Sequence, residues 1–262
     1  MNEKYPLEQE AEEVFGPKKK LRRSIYLLPS LFTVGNMFAG FFAVVATLNG
    51  HYQTAAIAIG IAVILDGVDG RVARMANATS SFGLQLDSLA DVISFGIAPA
   101  ILVYTWGLAA FGNFARLSAF VFLICGAMRL ARFNVQTKNL KSFAGLPIPA
   151  GAGYMAATVH LFGSPLDSDF FKYYLVAATY VISFLMISTI RYPSLKHLNL
   201  SRGKSHLTVL ALGIVIAGVV FYSEQVLMAI AFVYAASGLV LKFYHLLRRR
   251  RQDSTLATKR VE

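Results

Sequence analysis

Asp66, Asp69, Asp87 and Asp91 are the only acidic residues between Val14 and Leu166, in a stretch otherwise apolar enough to lie in a lipid bilayer. A carboxylate inside a membrane is costly unless it is paired, solvated or bound to a cation, so such residues mark a functional site. These four form two close pairs, three and four residues apart, in LDGVDGRVARMANATSSFGLQLDSLAD. Helical residues at i,i+3 and i,i+4 share a face. The first pair ends one apolar run, the second starts the next, and a short turn joins them. Two antiparallel helices would therefore bring the pairs together at one depth as a four-carboxylate pocket. Carboxylates so crowded repel strongly unless cations are present. All-oxygen ligands favour Mg²⁺, Mn²⁺ or Ca²⁺ over zinc, and the segment holds no Cys or His to suit a softer ion. Two such ions bridged by carboxylates can clamp the oxygens of a phosphoryl centre. Gly67, Gly70, Ala73 and Gly83 keep the same helix faces low, so that a bulky polar group can approach. Close helix packing in membranes selects small residues too.

The elements that must hold this pocket are apolar helices. The chain has 262 residues, 56% of them hydrophobic, with 20 Phe and a mean hydropathy of +0.55. That composition predicts an all-α polytopic integral membrane protein. Apolar runs at 27–49, 53–75, 83–106, 113–134, 146–164, 170–190, 206–222 and 225–246 predict about eight spanning helices, each near the ~20 residues that a bilayer requires. The expected division is an N-terminal segment over 1–24 with a basic juxtamembrane cluster, a transmembrane catalytic body over 25–247 and a polar tail over 248–262. Five Glu precede the basic cluster and no small-residue cleavage site follows the first run, so residues 1–24 do not read as a secretory signal.

The net charge of +11 does not imply nucleic acid, because the basic residues recur at every second loop. They collect at Lys18–Arg23, at Arg71 and Arg74, from Arg129 to Lys141, from Arg191 to Lys204 and at Arg248–Arg251. The alternate connections near 49–53, 107–113, 164–169 and 223–225 hold almost none, which by the positive-inside rule puts both termini and the aspartate pocket on the cytoplasmic side. The same basic segments suit anionic lipid headgroups. A lone Cys125 within an apolar run excludes an intramolecular disulfide and a thiolate metal cluster.

Asp66-x2-Asp69-Gly70-x2-Ala73-Arg74-x8-Gly83-x3-Asp87-x3-Asp91 resembles, without departure, the signature of the CDP-alcohol phosphotransferases. The resemblance implies a membrane enzyme that uses divalent metal to displace CMP from a CDP-linked donor with an alcohol. It further implies that Asp66, Asp69 and Asp87 are the principal ligands of two ions. Asp91 would add to the second ion and take the proton from the incoming hydroxyl. Gly70, Arg74, Ser80 and Gly83 would face the CDP donor, joined by Ser30, Thr33 and Asn36 of the first run. Chemistry agrees on the kinds of role, since a carboxylate near metal can act as a base and a guanidinium fork suits a pyrophosphate. It does not choose which aspartate is the base.

Two further stretches, Arg129-Leu130-Ala131-Arg132-Phe133-Asn134 and Gly145-Leu146-Pro147-Ile148-Pro149, are similar to segments of the membrane-embedded phosphatidylserine synthases. That resemblance implies CDP-diacylglycerol and L-serine as substrates, and a homodimer. Serine is a zwitterion, so its site should offer a cation to the carboxylate; Arg129, Arg132 and Lys141, with Asn134, lie in the right stretch. Basic residues at a helix end also anchor topology by snorkelling, and Pro147 and Pro149 read as breakers that open a helix. Other acceptors (glycerol 3-phosphate, an inositol phosphate, choline) or an archaeol donor fit the same signature. A cation transporter would also carry intramembrane carboxylates. Against it, the aspartates lie toward one surface instead of the midplane, and the chain has no evident inverted repeat.

Overall fold

The computed structural model describes residues 20–75, 81–135, 145–164, 168–190, 192, 213, 217–218 and 221–258. These residues are helical throughout, with no strand. A bilayer offers no water to backbone N–H and C=O groups, and a helix satisfies them within its own segment. The main helices are α1 (Lys20–Leu48), α2 (Tyr52–Met75), α3 (Ser81–Asp91), α4 (Ala98–Val103), α5 (Asn113–Val135), α6 (Ile148–Phe162), α7 (Asp169–Ile187) and α8 (Ser223–Thr258). α3 and α4 belong to one continuous apolar helix, Phe82–Phe111, interrupted by π-helical turns at Val92–Ile97 and Tyr104–Leu108.

Among the described residues, six helical segments are long and apolar enough to cross a membrane: those of α1, α2, the α3–α4 helix, α5, α7 and α8. At 15 residues, α6 is shorter than a normal span, but nine of its residues are buried against neighbouring helices, so it needs little lipid-facing length. Seven of the eight expected apolar runs thus appear as helices, most within a few residues of their expected ends, though among the described residues the first starts at Lys20 and the last continues to Thr258. The run at 206–222 lies almost wholly outside the described residues, so the count of eight is not established.

The α1–α2 pair forms the base of the site. Ala39, Ala43 and Ala46 of α1 and Ala55, Ala58 and Ala62 of α2 are all buried, and such small residues let helix backbones approach closely in a membrane. Gly50, at a positive φ of 76°, makes the turn between the two helices. The α3–α4 helix crosses α1 so tightly that a Cβ at Gly40 would run into both the backbone and the side chain of Ser94. Pro99 lies just beyond the first π turn. It has no N–H to return to the preceding turn, and its ring crowds the carbonyl four residues back, which accounts for the wider turn there.

A short strap, Gly145–Pro147, runs into α6. Gly145 has a φ of 87° and its N–H donates to Ile190 O at 2.8 Å, while Leu146 N–H donates to Leu185 O at 2.9 Å. Pro147 caps α6 and Pro149 stands in its first turn, where a missing N–H costs nothing.

Candidate metal and substrate site

α2 and α3 carry the aspartates to one end of the bundle. One carboxylate oxygen from each of Asp66, Asp69 and Asp87 lies within 4.8 Å of the others. Asp69 is 4% exposed and Asp91 8%, whereas Asp66 and Asp87 are half-buried. Asp91 lies deeper on α3, its carboxyl within hydrogen-bonding reach of Asp66. All four expected carboxylates therefore meet in one place, as the i,i+3 and i,i+4 spacings require.

The donor set suits a hard divalent cation. The three clustered groups offer oxygen alone, and the buried Oδ1 atoms of Asp87 and Asp91 have no protein partner. Buried polar atoms are rarely left unpaired, and an anionic oxygen is the most expensive kind to leave so. A cation held by Asp66, Asp69 and Asp87 removes that cost.

α1 closes one side of the pocket with two polar ties a helical turn apart. Thr33 Oγ1 donates to Asp69 Oδ2 at 3.2 Å. Ser94 Oγ, from the π turn that follows Asp91, donates to the backbone carbonyl of Asn36 at 2.9 Å. Thr33, expected to face the donor, thus orients one of the clustered carboxylates. Asn36 is fully buried, and neither its Nδ2 nor its Oδ1 has a protein partner.

α5 closes another side. Asn134 Nδ2 donates to Ser88 Oγ at 2.9 Å, which ties α5 to the metal helix one residue beyond Asp87. Arg129 lies more than a turn deeper on α5, with Asp91 and Asp66 as its acidic neighbours and Tyr234 of α8 close by. Its buried Nε has no protein partner, and its guanidinium stands 5.9 Å from the centre of the Phe133 ring. Arg132 points elsewhere: its Nη1 and Nη2 donate to Ile187 O and Ser188 O at 3.1 and 3.2 Å, at the C-terminus of α7. Those carbonyls lack helical partners, and a guanidinium there satisfies them.

Gly70 and Gly83 are half-buried on α2 and α3. For Ser30 and Arg74 only the helical backbone is described, and Ser80 and Lys141 lie outside the described residues. Sequence reasoning did not find the roles of Ser88 and Ser94. Their one available signal is that both are hydroxyls within a turn of an aspartate on an otherwise apolar helix.

Fold and site together define an integral membrane protein built of helices, with a cluster of carboxylates, able to hold a cation, at one end of the bundle. The family model for CDP-alcohol phosphatidyltransferase matches residues 26–188, which hold all four aspartates. The chain belongs to that family, whose members are generally divalent-metal dependent. It is similar to a CDP-diacylglycerol–serine O-phosphatidyltransferase of Helicobacter pylori, 40% identical over 176 residues covering 66% of this chain and 74% of the relative. A Bacillus subtilis protein of the same description is 34% identical over 169 residues, 64% of this chain and 91% of that one. An archaetidylserine synthase of Methanothermobacter thermautotrophicus is 38% identical over 177 residues, 65% and 71% of the two chains.

Proposed function

We propose that this protein transfers the phosphatidyl group of CDP-diacylglycerol to the hydroxyl of L-serine, giving phosphatidylserine and CMP. The carrying observation is the gathering of Asp66, Asp69 and Asp87 within 4.8 Å, with Asp91 buried beside them, in a chain similar to serine phosphatidyltransferases. The archaetidylserine synthase among its relatives keeps an archaeol donor as the second reading and leaves serine common to both.

Asp66, Asp69 and Asp87, with Asp91, are read as holding two divalent ions, Mg²⁺ or Mn²⁺ with Ca²⁺ as an alternative. When bound, these would neutralise the diphosphate and stabilise the leaving phosphate of CMP. The remaining chemistry falls to the chain. Asp91 takes the proton from the serine hydroxyl, and the freed oxygen attacks the phosphorus on the diacylglycerol side. The bond from that phosphorus to the bridging diphosphate oxygen breaks, and CMP leaves with its electron pair. With neither Cys nor His in the motif to act as a nucleophile, direct in-line displacement is preferred over a covalent intermediate. Arg129, beside Asp91, is the preferred partner of the serine carboxylate. Arg74, Ser80, Gly70, Gly83 and Ser30 are read as donor contacts, and Lys141 as a second cation for serine.

In the same reading this end of the bundle and both termini face the cytoplasm, where free serine is at hand; the recurrence of basic residues at every second loop supports it. The acyl chains of the donor stay in the bilayer, and the functional unit is taken as a homodimer. The test is purified protein in detergent with CDP-diacylglycerol, a divalent cation and a panel of alcohols. Formation of phosphatidylserine with stoichiometric CMP is expected. Release of CMP with glycerol 3-phosphate in preference to serine would refute the acceptor, and no release with any alcohol would refute the reaction.

A further inference from the structure

Six buried side-chain nitrogen or oxygen atoms among the described residues have no hydrogen-bond partner, and five of them surround one pocket: Asn36 Nδ2 and Oδ1, Asp87 Oδ1, Asp91 Oδ1 and Arg129 Nε. The clustering matters because each such atom costs free energy unless a ligand completes it. Cations account for the carboxylates. They leave a neutral carboxamide on α1 and a guanidinium on α5.

The depth of these two groups follows from the ties between helices. Asn134 is level with Ser88. At a rise of ~1.5 Å per residue, Arg129 lies about 7.5 Å deeper along α5, and Asp91 about 4.5 Å deeper along α3. Arg129 and Asp91 are therefore within about a helical turn in depth, near enough for the charge of each to act on the other. Asn36 is level with Ser94, one turn beyond Asp91. Asn36 thus lies about a turn deeper than Asp91, and Arg129 within about a turn of it in depth.

We infer that Asn36 binds the ammonium group of the acceptor, so that the acceptor amino acid lies between Asn36 and Arg129 with its hydroxyl toward Asp91. This inference rests on the serine reading above. An L-amino alcohol acid offers three chemistries on adjacent carbons: a cationic N–H donor, a carboxylate and a hydroxyl. Asn36 Oδ1 accepts from the ammonium, Arg129 donates to the carboxylate, and the hydroxyl delivers its proton to Asp91. Choline offers no N–H donor to Asn36, and glycerol 3-phosphate offers no cation. The resemblance alone assigned Asn36 to the donor. Asn36 is fully buried, and the tie of its carbonyl to Ser94 sets it about a turn farther along the helix than Asp91.

Acceptor analogues that each lack one group test the arrangement. Ethanolamine lacks the carboxylate and 3-hydroxypropionate lacks the ammonium. The serine KM, and the inhibition constants of both analogues against labelled serine, are measured on full-length protein with saturating CDP-diacylglycerol and Mn²⁺. Asn36→Leu should weaken serine and ethanolamine roughly tenfold or more and leave 3-hydroxypropionate nearly unmoved. Arg129→Gln should weaken serine and 3-hydroxypropionate by a similar factor and spare ethanolamine. Melting curves establish that each variant folds, and Asn36→Ala replaces the leucine variant if that one does not. A fall in kcat with no change in the serine KM or in either inhibition constant would show that Asn36 merely orients Asp91, and would overturn the inference. A raised donor KM with unchanged acceptor constants would return Asn36 to the donor and overturn it likewise. If the parent used glycerol 3-phosphate in place of serine, the serine reading itself would have failed. If serine reacted but the analogue profiles of the two variants did not diverge, only the assignment of Asn36 would fall.

Discussion

Thr33→Val removes one hydroxyl from the site and keeps the volume and branching of the side chain. In the parent that hydroxyl donates to Asp69 Oδ2 at 3.2 Å, with Thr33 6% and Asp69 4% exposed, so water cannot readily replace it. A hydrogen bond to a charged acceptor contributes about 1.5–3 kcal/mol, and about 1.4 kcal/mol corresponds to a tenfold change in affinity. On the proposed metal reading, the bond orients Asp69 toward the cation. Its loss should therefore appear in metal binding, as it does when the outer partner of a ligand is removed elsewhere, at a cost of ~10–100-fold. Purified variants are assayed for CMP release across a titration of free Mn²⁺. The concentration for half-maximal activity should rise about tenfold to a hundredfold in Thr33→Val, and turnover at saturating metal should return close to the parent value. Thr33→Ser keeps the donor and should behave like the parent. An unchanged titration for Thr33→Val would refute the reasoning. So would a raised CDP-diacylglycerol KM with unaltered metal dependence, which would make Thr33 a donor contact instead.

Chelation should abolish turnover, and Asp66→Asn or Asp87→Asn should do the same in protein that still melts cooperatively; full activity in excess EDTA would exclude the metal reading. Asp91→Asn keeps the side chain's size but cannot accept a proton, so turnover should fall about 10²-fold or more while CDP-diacylglycerol binding, read by equilibrium dialysis, is largely retained. Arg132→Gln removes the guanidinium from Ile187 O and Ser188 O, which should lower stability by about 1–3 kcal/mol and hence the melting temperature. The serine KM should move little. A large rise in that KM with unchanged melting would make Arg132 a substrate residue.

The helices and the carboxylate cluster were legible in the sequence because both are set by one-dimensional rules. Length and hydropathy alone located the helices at seven of the eight apolar runs, though not the far ends of α1 and α8. The i,i+3 and i,i+4 spacings fixed which faces of α2 and α3 carry Asp66, Asp69, Asp87 and Asp91, and the short connection between the helices did the rest. The π turn at Val92–Ile97 was not legible. Pro99 announced some departure from α geometry, but a kink, a break and a widened turn all answer the same missing N–H.

Lateral contacts are a different kind of information. The stretch from Arg129 to Asn134 presents three polar side chains within two turns, and nothing in their order says which faces the substrate. A helix advances about 100° per residue, so Arg129 and Arg132 lie roughly 60° apart around α5. That rotation separates a guanidinium beside Asp91 from one that caps the end of α7. The outcome depends on where α7 ends, and hence on the Gly145 strap that pairs with Leu185 and Ile190. The same holds on α1, where Thr33 and Asn36 looked equivalent as polar residues one turn apart. Only the crossing at Gly40 and Ser94 gives Thr33 a carboxylate to hold and leaves the Asn36 amide buried with both polar atoms waiting for a ligand.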